Sequence, residues 1–154
     1  MRLPSMTLRD LARREVETAS VESTLAACAQ KMRRAHVGCL VVAEPAGALM
    51  KPLGMLTDRD IVVEAVAPGL DPATLTAGDV MSRPVATVTL DEDLLDALST
   101  MRERGVRRLV VTDADGMLAG LVSVQDVLTA LSQQMDALVG VLNAQQAKEA
   151  TTRP

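Results

Sequence analysis

Two seven-residue segments hold the side chains best placed to do chemistry. GMLTDRD runs from Gly54 to Asp60, and GLVSVQD runs from Gly120 to Asp126. Each ends an apolar, strand-like run on a hydroxyl, Thr57 or Ser123, and sets a carboxylate, Asp60 or Asp126, three residues later at the start of a helix. The first N–H groups of a helix lack intrahelical partners and its dipole favours negative charge, so such a turn attracts an anion. The carboxylate can accept hydrogen bonds from both hydroxyls of a ribose. The same spacing is also a helix cap, Ser or Thr followed by an acid. Duplication copies a cap as readily as a ligand site, so these residues alone leave both readings open.

Arg107 and Arg108 head a strand whose side chains alternate, so at most one of them faces a given cleft. A guanidinium at a cleft mouth suits phosphate, and a solvated strand end is the plainer role. His36 is the only histidine and lies at a helix–strand junction, which reads as a surface turn; no metal site is expected. No nucleophile stands with a base, so no catalytic residues are assigned and an enzyme is not expected. Cys28 and Cys39 lack CxxC spacing and suit small buried hydrophobes in a reducing compartment.

These residues belong to a chain that repeats itself. Thr7 to Val42 lies on Thr76 to Val111 at an offset of 69, and Gly54 to Asp60 lies on Gly120 to Asp126 at an offset of 66. The repeat matches Arg107 and Arg108 with Gly38 and Cys39, and Gln125 with Arg59, so two related clefts should differ in their taste for phosphate. Each half reads as strand, helix, strand, strand, helix, preceded by a short helical turn, TLRDLA or TAGDVM. Ser20 is expected to start the first helix, with Leu25, Cys28, Ala29 and Met32 inward. VATV, 85–88, should be a strand. Thr89 to Glu92 should cap a helix carrying Leu94, Leu95, Leu98 and Met101 on one face and ending near Gly105. The boundaries expected are a first motif at 7–67, a linker at 68–75, a second motif at 76–132, and a helical extension and tail at 133–154. Along the last helix, from Val124, residues Val124, Leu128, Leu131, Met135, Leu138 and Leu142 form a coiled-coil-like seam that outruns the repeat, which predicts a homodimer contact. Residues after Asn143 read as a frayed tail.

Composition narrows the function classes. The 154-residue chain is 48% apolar with no Phe, Tyr or Trp, so its core must be Val, Leu, Ala and Met. A net charge of −4 and the lack of stacking aromatics argue against nucleic acid as a partner. The N-terminus has no apolar signal segment and no run is long enough to span a bilayer, so no membrane is expected and the expected location is cytoplasmic.

The ordered motifs resemble a tandem pair of cystathionine β-synthase (CBS) domains, a Bateman module, from about Thr7 to Leu131. The match rests on DVMSRPV, the helix ends MRERGV and MRRAHV, the strands RRLVV and GCLVV, the turn DADG, and GLVSVQD with GMLTDRD. The resemblance implies an α+β fold: two pseudosymmetric β-α-β-β-α motifs packed sheet to sheet, here with an extended C-terminal helix. It implies a non-catalytic regulatory module that needs no cofactor and takes an adenine nucleotide, of the AMP, ADP, ATP or S-adenosylmethionine class, as a regulatory ligand, with an unidentified regulated protein as a further partner. The alternative is a structural dimerisation module with degenerate clefts. Carried over by position, one site would combine Ala12, Glu17, Val37 and Gly38 with Arg107, Arg108, Ser123, Gln125 and Asp126. The other would combine Met81, Ala86, Val106 and Arg107 with Cys39, Thr57, Arg59 and Asp60. Glu17 departs from the pattern, since a small or apolar residue would suit the base better.

Overall fold

A computed structural model describes residues 7–152. The expectations placed on residues 1–6 and on the last two residues of the tail lie outside that range. The elements run α1 (Leu8–Leu11), β1 (Thr18–Ala19), α2 (Leu25–Ala35), β2 (Cys39–Ala46), β3 (Leu49–Thr57) and α3 (Asp58–Ile61), which a π-helical turn continues to Val66. The second half runs α4 (Ala77–Val80), β4 (Thr87–Thr89), α5 (Leu94–Arg104), β5 (Arg108–Thr112), β6 (Leu118–Ser123) and α6 (Val124–Thr152).

The architecture is α+β, with two three-stranded mixed sheets and one long C-terminal helix. In each sheet a parallel pair is followed by an antiparallel one. The registers repeat with the sequence: Thr18 pairs with Val41 as Thr87 does with Val110, and Cys39 pairs with Thr57 as Arg108 does with Ser123. Even the bulge recurs, at Val42/Ala43 and at Val111/Thr112. The change in offset is absorbed beyond the bulge, where the first hairpin is the longer. There a ladder can lengthen without moving the core.

Three apolar clusters hold the molecule together, all without aromatics. Two are built across the repeat. Leu8, Leu11 and Ala12 pack with Leu94, Met101, Leu109 and Val122 of the second half. Ala77, Val80 and Met81 pack with Leu25, Met32, Leu40 and Leu56 of the first. Main-chain bonds follow the same exchange. The N–H of Leu8 donates to Glu92 O at 3.1 Å and that of Arg9 to Leu90 O at 3.0 Å; the N–H of Ala77 donates to Ser23 O at 2.8 Å and that of Gly78 to Val21 O at 2.9 Å. Each short helical turn thus completes the core of the other half, and neither half closes alone. The third cluster lies between the sheets, where Val41, Ala43 and Val110 meet Met50, Met55, Val85, Leu118 and Leu121.

Several local expectations need correction. Thr24, not Ser20, starts α2, accepting from the Ala27 N–H at 3.2 Å; Ser20 instead bonds Glu22 in the preceding turn. Thr89 and Glu92 do bond, with the Thr89 N–H donating at 2.8 Å, but Asp93 caps α5 by accepting from Leu95 and Asp96. In both cases two competent capping residues lie within a few positions of each other, and the one nearer the first buried residue of the helix, Leu25 or Leu94, sets the start. The strand expected at 85–88 starts two residues later and runs one residue further, as β4. Leu95 is 70% exposed and Ala29 is exposed, while Ala97 faces inward. The tail expected to fray after Asn143 continues as helix to Thr152. Along α6, Val127 and Ala130 meet the core, whereas the seam residues Leu128, Leu131, Met135, Leu138 and Leu142 are exposed. Among the described residues no helix is long and apolar enough to cross a membrane.

Candidate functional site

The second-half turn is built first by its main chain. Arg13 exchanges two backbone bonds with Leu121, at 2.9 and 3.0 Å, laying the segment after α1 across β6. Gly120 permits that crossing, because a Cβ there would sit 2.9 Å from Arg13 O and 3.0 Å from the Ala12 Cβ. Ser82 and Met55 repeat the crossing at 2.9 and 3.2 Å, and Gly54 permits it under Met81 and Ser82. This gives the first residue of each seven-residue motif its physical reason, since any side chain would push the crossing segment away.

At the end of β6, Asp126 Oδ2 accepts from the Ser123 N–H at 2.9 Å and its hydroxyl at 2.6 Å, and Ser123 Oγ accepts from the Asp126 N–H at 3.2 Å. Asp126 Oδ1 accepts from Nε of Arg13 at 2.8 Å and from Nη2 at 2.6 Å. The Asp126 side chain is 14% exposed and that of Arg13 66%. Partial burial works to raise the Asp126 pKa, but the bonds from Ser123 and Arg13 outweigh it and hold the carboxyl below its ordinary value. Arg108 lies directly opposite Ser123 in the ladder, so their side chains share a face. Arg107 precedes the strand, is exposed, and accepts the Val124 N–H on its carbonyl at 3.0 Å.

At the end of β3 the pattern is the same and the charges differ. Asp60 Oδ2 accepts from the Thr57 N–H at 2.7 Å, and Thr57 Oγ1 accepts from the Asp60 N–H at 3.2 Å. Among the described residues no hydrogen bond reaches the other Asp60 oxygen. Cys39 faces Thr57 as Arg108 faces Ser123. The Asp58 carboxylate accepts from the Arg59 N–H at 2.8 Å and lies over Gly38, where a Cβ would be 3.2 Å from Oδ2. Cys39 is buried, which raises its thiol pKa; Arg108 and Arg13 pull it down and Asp58 adds to the rise.

The sequence-expected residues divide accordingly. Ala12, Ser123, Asp126 and, on the same face, Arg108 come together. Met81 lies over Gly54, three residues before Thr57 on the same strand, and Thr57 pairs with Cys39. Gly38 sits beside Asp58 of its own half, accepting the Asp58 N–H on its carbonyl at 3.0 Å. Val37 and Val106 pack against the two cores. Ala86 accepts the Val110 N–H at 3.0 Å, as Glu17 accepts that of Val41. The Glu17 carboxylate is 3.2 Å from Lys31 Nζ on α2, which gives this unexpected acid a partner in its own half. Gln125, Arg59 and Arg107 are exposed. Sequence reasoning missed Arg13, the residue that touches Asp126. The signal was available: the repeat sets Arg13 opposite Ser82, a charged-for-neutral exchange at the crossing. A cleft of about 280 Å³ lies elsewhere, lined by Thr18, Ser20, Ser23, Lys31 and Met50, and holds none of the expected site residues. Among the described residues no cluster of His, Cys, Asp and Glu could hold a metal ion.

Comparison with known proteins identifies the architecture. The CBS domain family matches residues 8–66 and again 77–133. An uncharacterized protein of Methanopyrus kandleri is 37% identical over 124 residues, which cover 80% of this chain and 62% of that protein, so the chain spans less than two thirds of that relative's length. Hypoxic response protein 1 of Mycobacterium tuberculosis is 36% identical over 121 residues, covering 79% of this chain and 82% of that one. The crystal structure of Hypoxic Response Protein I with two coordinated zinc ions matches with a TM-score of 0.68 and 34% identity, over 81% of this chain and 98% of that one. A CBS domain protein from Pyrobaculum aerophilum complexed with AMP matches with a TM-score of 0.70 and 25% identity, over 79% and 89% of the two chains. The chain belongs to the CBS domain family and carries the domain twice.

Proposed function

We propose that this CBS domain pair is a non-catalytic regulatory module that binds an adenosine phosphate in the cleft formed by Ala12, Arg108, Ser123 and Asp126, and more weakly in the related cleft formed by Met81, Cys39, Thr57 and Asp60. The observation that carries the reading is the second-half turn. It holds a carboxylate, a hydroxyl and a helix N-terminus at one corner, with a strand arginine on the same face and the Arg13 segment of the first half crossing beside it. The carboxylate suits a ribose diol, and the helix N-terminus with Arg108 suits phosphate. The AMP-bound relative supports the ligand class. Because each core is completed by a segment of the other half, a ligand in the corner bears on the packing of both halves, and this is the route by which binding becomes a signal to a regulated partner or to a second copy.

A second reading, a dimerisation module with degenerate clefts, is favoured by one observation. Met135, Leu138, Val141 and Leu142 of α6 are each roughly three-fifths exposed, an apolar stripe that a homodimer would cover. Calorimetry separates the two. Asp126→Ala should weaken AMP binding by about 1.5–3 kcal/mol, and weaken a 2′-deoxy ligand much less. Silence with AMP, ADP, ATP and S-adenosylmethionine alike, together with a light-scattering mass near twice 16.3 kDa, would favour the dimerisation module instead.

A further inference from the structure

The acceptor capacity of Asp126 is fully used before any ligand arrives. A carboxylate offers about four lone-pair positions. Oδ2 takes the N–H and hydroxyl of Ser123, and Oδ1 takes Nε and Nη2 of Arg13. The Ser123 bonds belong to the cap and hold the turn itself. A ribose diol can therefore be received only at Oδ1, and only if Arg13 leaves it. The Arg13 backbone is pinned to Leu121 by two bonds, whereas its side chain is 66% exposed on a long flexible stem. The guanidinium can leave while the crossing stays in place. A cation moved off a carboxylate needs another anion, and phosphate is the group a guanidinium pairs with best. Arg108 shares the Ser123 face, so a phosphate drawn to it would stand near the released Arg13.

We propose that Arg13 determines the specificity of this cleft: its guanidinium occupies the diol-binding oxygen of Asp126 in the free protein and transfers to the phosphate of the bound ligand, so the cleft takes adenosine phosphates in preference to adenosine. The proposal rests on the reading of the cleft given above and deepens it. A nucleoside must displace Arg13 and gives it nothing in return; a nucleotide supplies the new partner. The related cleft has no such latch. Ser82 stands in the place of Arg13, one oxygen of Asp60 is without a hydrogen bond among the described residues, and Asp58 lies at the N-terminus of α3. That cleft should not discriminate against the nucleoside.

The test is calorimetric titration of the full chain with AMP and with adenosine, for the wild type, Arg13→Ala and Arg13→Gln. In the wild type the Ser123 cleft should prefer AMP by about tenfold or more, the scale of one charged contact. Arg13→Ala should lower AMP affinity about tenfold and raise adenosine affinity severalfold, collapsing the preference. Arg13→Gln, which keeps most of the stem and loses the charge, should move both ligands the same way and guards against a folding defect in the alanine variant. A merely structural ion pair predicts no gain for adenosine. If Asp126→Ala weakens AMP but the ratio of AMP to adenosine is unchanged in both Arg13 variants, the cleft stands and Arg13 has no part in its specificity. If wild type binds neither compound, the adenosine reading falls and this inference with it.

Discussion

At the end of β3 Thr57 caps α3, and Asp60 returns a bond to the Thr57 N–H; at the end of β6 Ser123 and Asp126 do the same for α6. The crossings that support the two turns match as well, Ser82 on Met55 and Arg13 on Leu121. The side chains around them do not match. The first turn is ringed by Ser82, Asp58 and Cys39, and the second by Arg13, Val124 and Arg108. What the duplication has kept is what the fold requires: two glycines under a crossing chain, two hydroxyl–acid caps, and the exchange of short turns between cores. The charges around the two turns differ in side chains that take no part in those contacts. The two turns therefore share a shape and differ in chemistry.

The common scaffold can be broken at the crossing glycines, with the largest effects expected here. Gly54→Ala would set a Cβ 2.5 Å from Met81 Sδ and 2.8 Å from the Ser82 carbonyl; Gly120→Ala would set one 2.9 Å from the Arg13 carbonyl. Both should lower stability by about 1–3 kcal/mol, as overpacking does, with Gly54→Ala the worse. Gly140→Ala is the control, since nothing lies within 4 Å and the residue is helical. It should gain up to about 1 kcal/mol. Urea unfolding followed by far-UV circular dichroism measures all three, as the chain has no aromatic fluorophore. A neutral result at both crossing positions would mean that the segments after α1 and α4 can be lifted without cost.

Much of this was legible in the sequence, and the limits have physical causes. The repeat exposed the element order, because registers and bulges recur at the same offsets as the residues. Gly105 was legible as a helix end because it is needed at positive φ. Helix starts were not, because Ser20 and Thr24, or Thr89 and Asp93, are all competent caps and only packing chooses between them. The exchange of α1 and α4 between cores was hidden, since Leu8 and Ala77 show what is apolar and not where it docks. Arg13 was hidden for a related reason. It contacts a residue 113 positions away, which local spacing cannot show, and only the exchange of Arg13 for Ser82 between the repeats marks it. The Ser-x-x-Asp spacing left cap and ligand site open, and Asp126 is in fact a cap whose remaining oxygen is closed by Arg13.

The charge difference itself can be sharpened by acid. The Asp126 carboxyl is held below its ordinary value, so its contribution is present at neutral pH and lost as pH falls from the ordinary aspartate value near 3.9 through the lower folded value. At pH 7 Asp126→Ala should cost about 1–2 kcal/mol, the cap plus a discounted ion pair to the largely exposed Arg13. Asp60→Ala, a cap without the arginine, should cost about 1 kcal/mol. Urea midpoints at pH 7 and pH 3 should show the Asp126→Ala deficit shrinking in acid. Equal deficits for the two variants at pH 7 would remove the distinction between the turns.

The smallest effect concerns the helix ends. His36 and Gly105 occupy equivalent places, closing α2 and α5 in the left-handed region at φ 55° and φ 64°. An L-residue there carries a steric cost of about 1–2 kcal/mol that glycine avoids. Glycine gives part of this back, about 0.5–1 kcal/mol, through the freedom it adds to the unfolded chain. His36→Gly should thus stabilise by about 0.5–1 kcal/mol, and Gly105→Ala should destabilise by a similar amount. Nothing lies within 4 Å of a Cβ built at Gly105, and His36 is exposed, so both changes report the backbone and little else. The two halves would then be shown to differ at a position where the fold's demand is identical and only its satisfaction differs. A His36→Gly variant less stable than wild type would mean instead that the imidazole contributes an interaction of its own at the end of α2, making this junction another place where the halves have parted in chemistry.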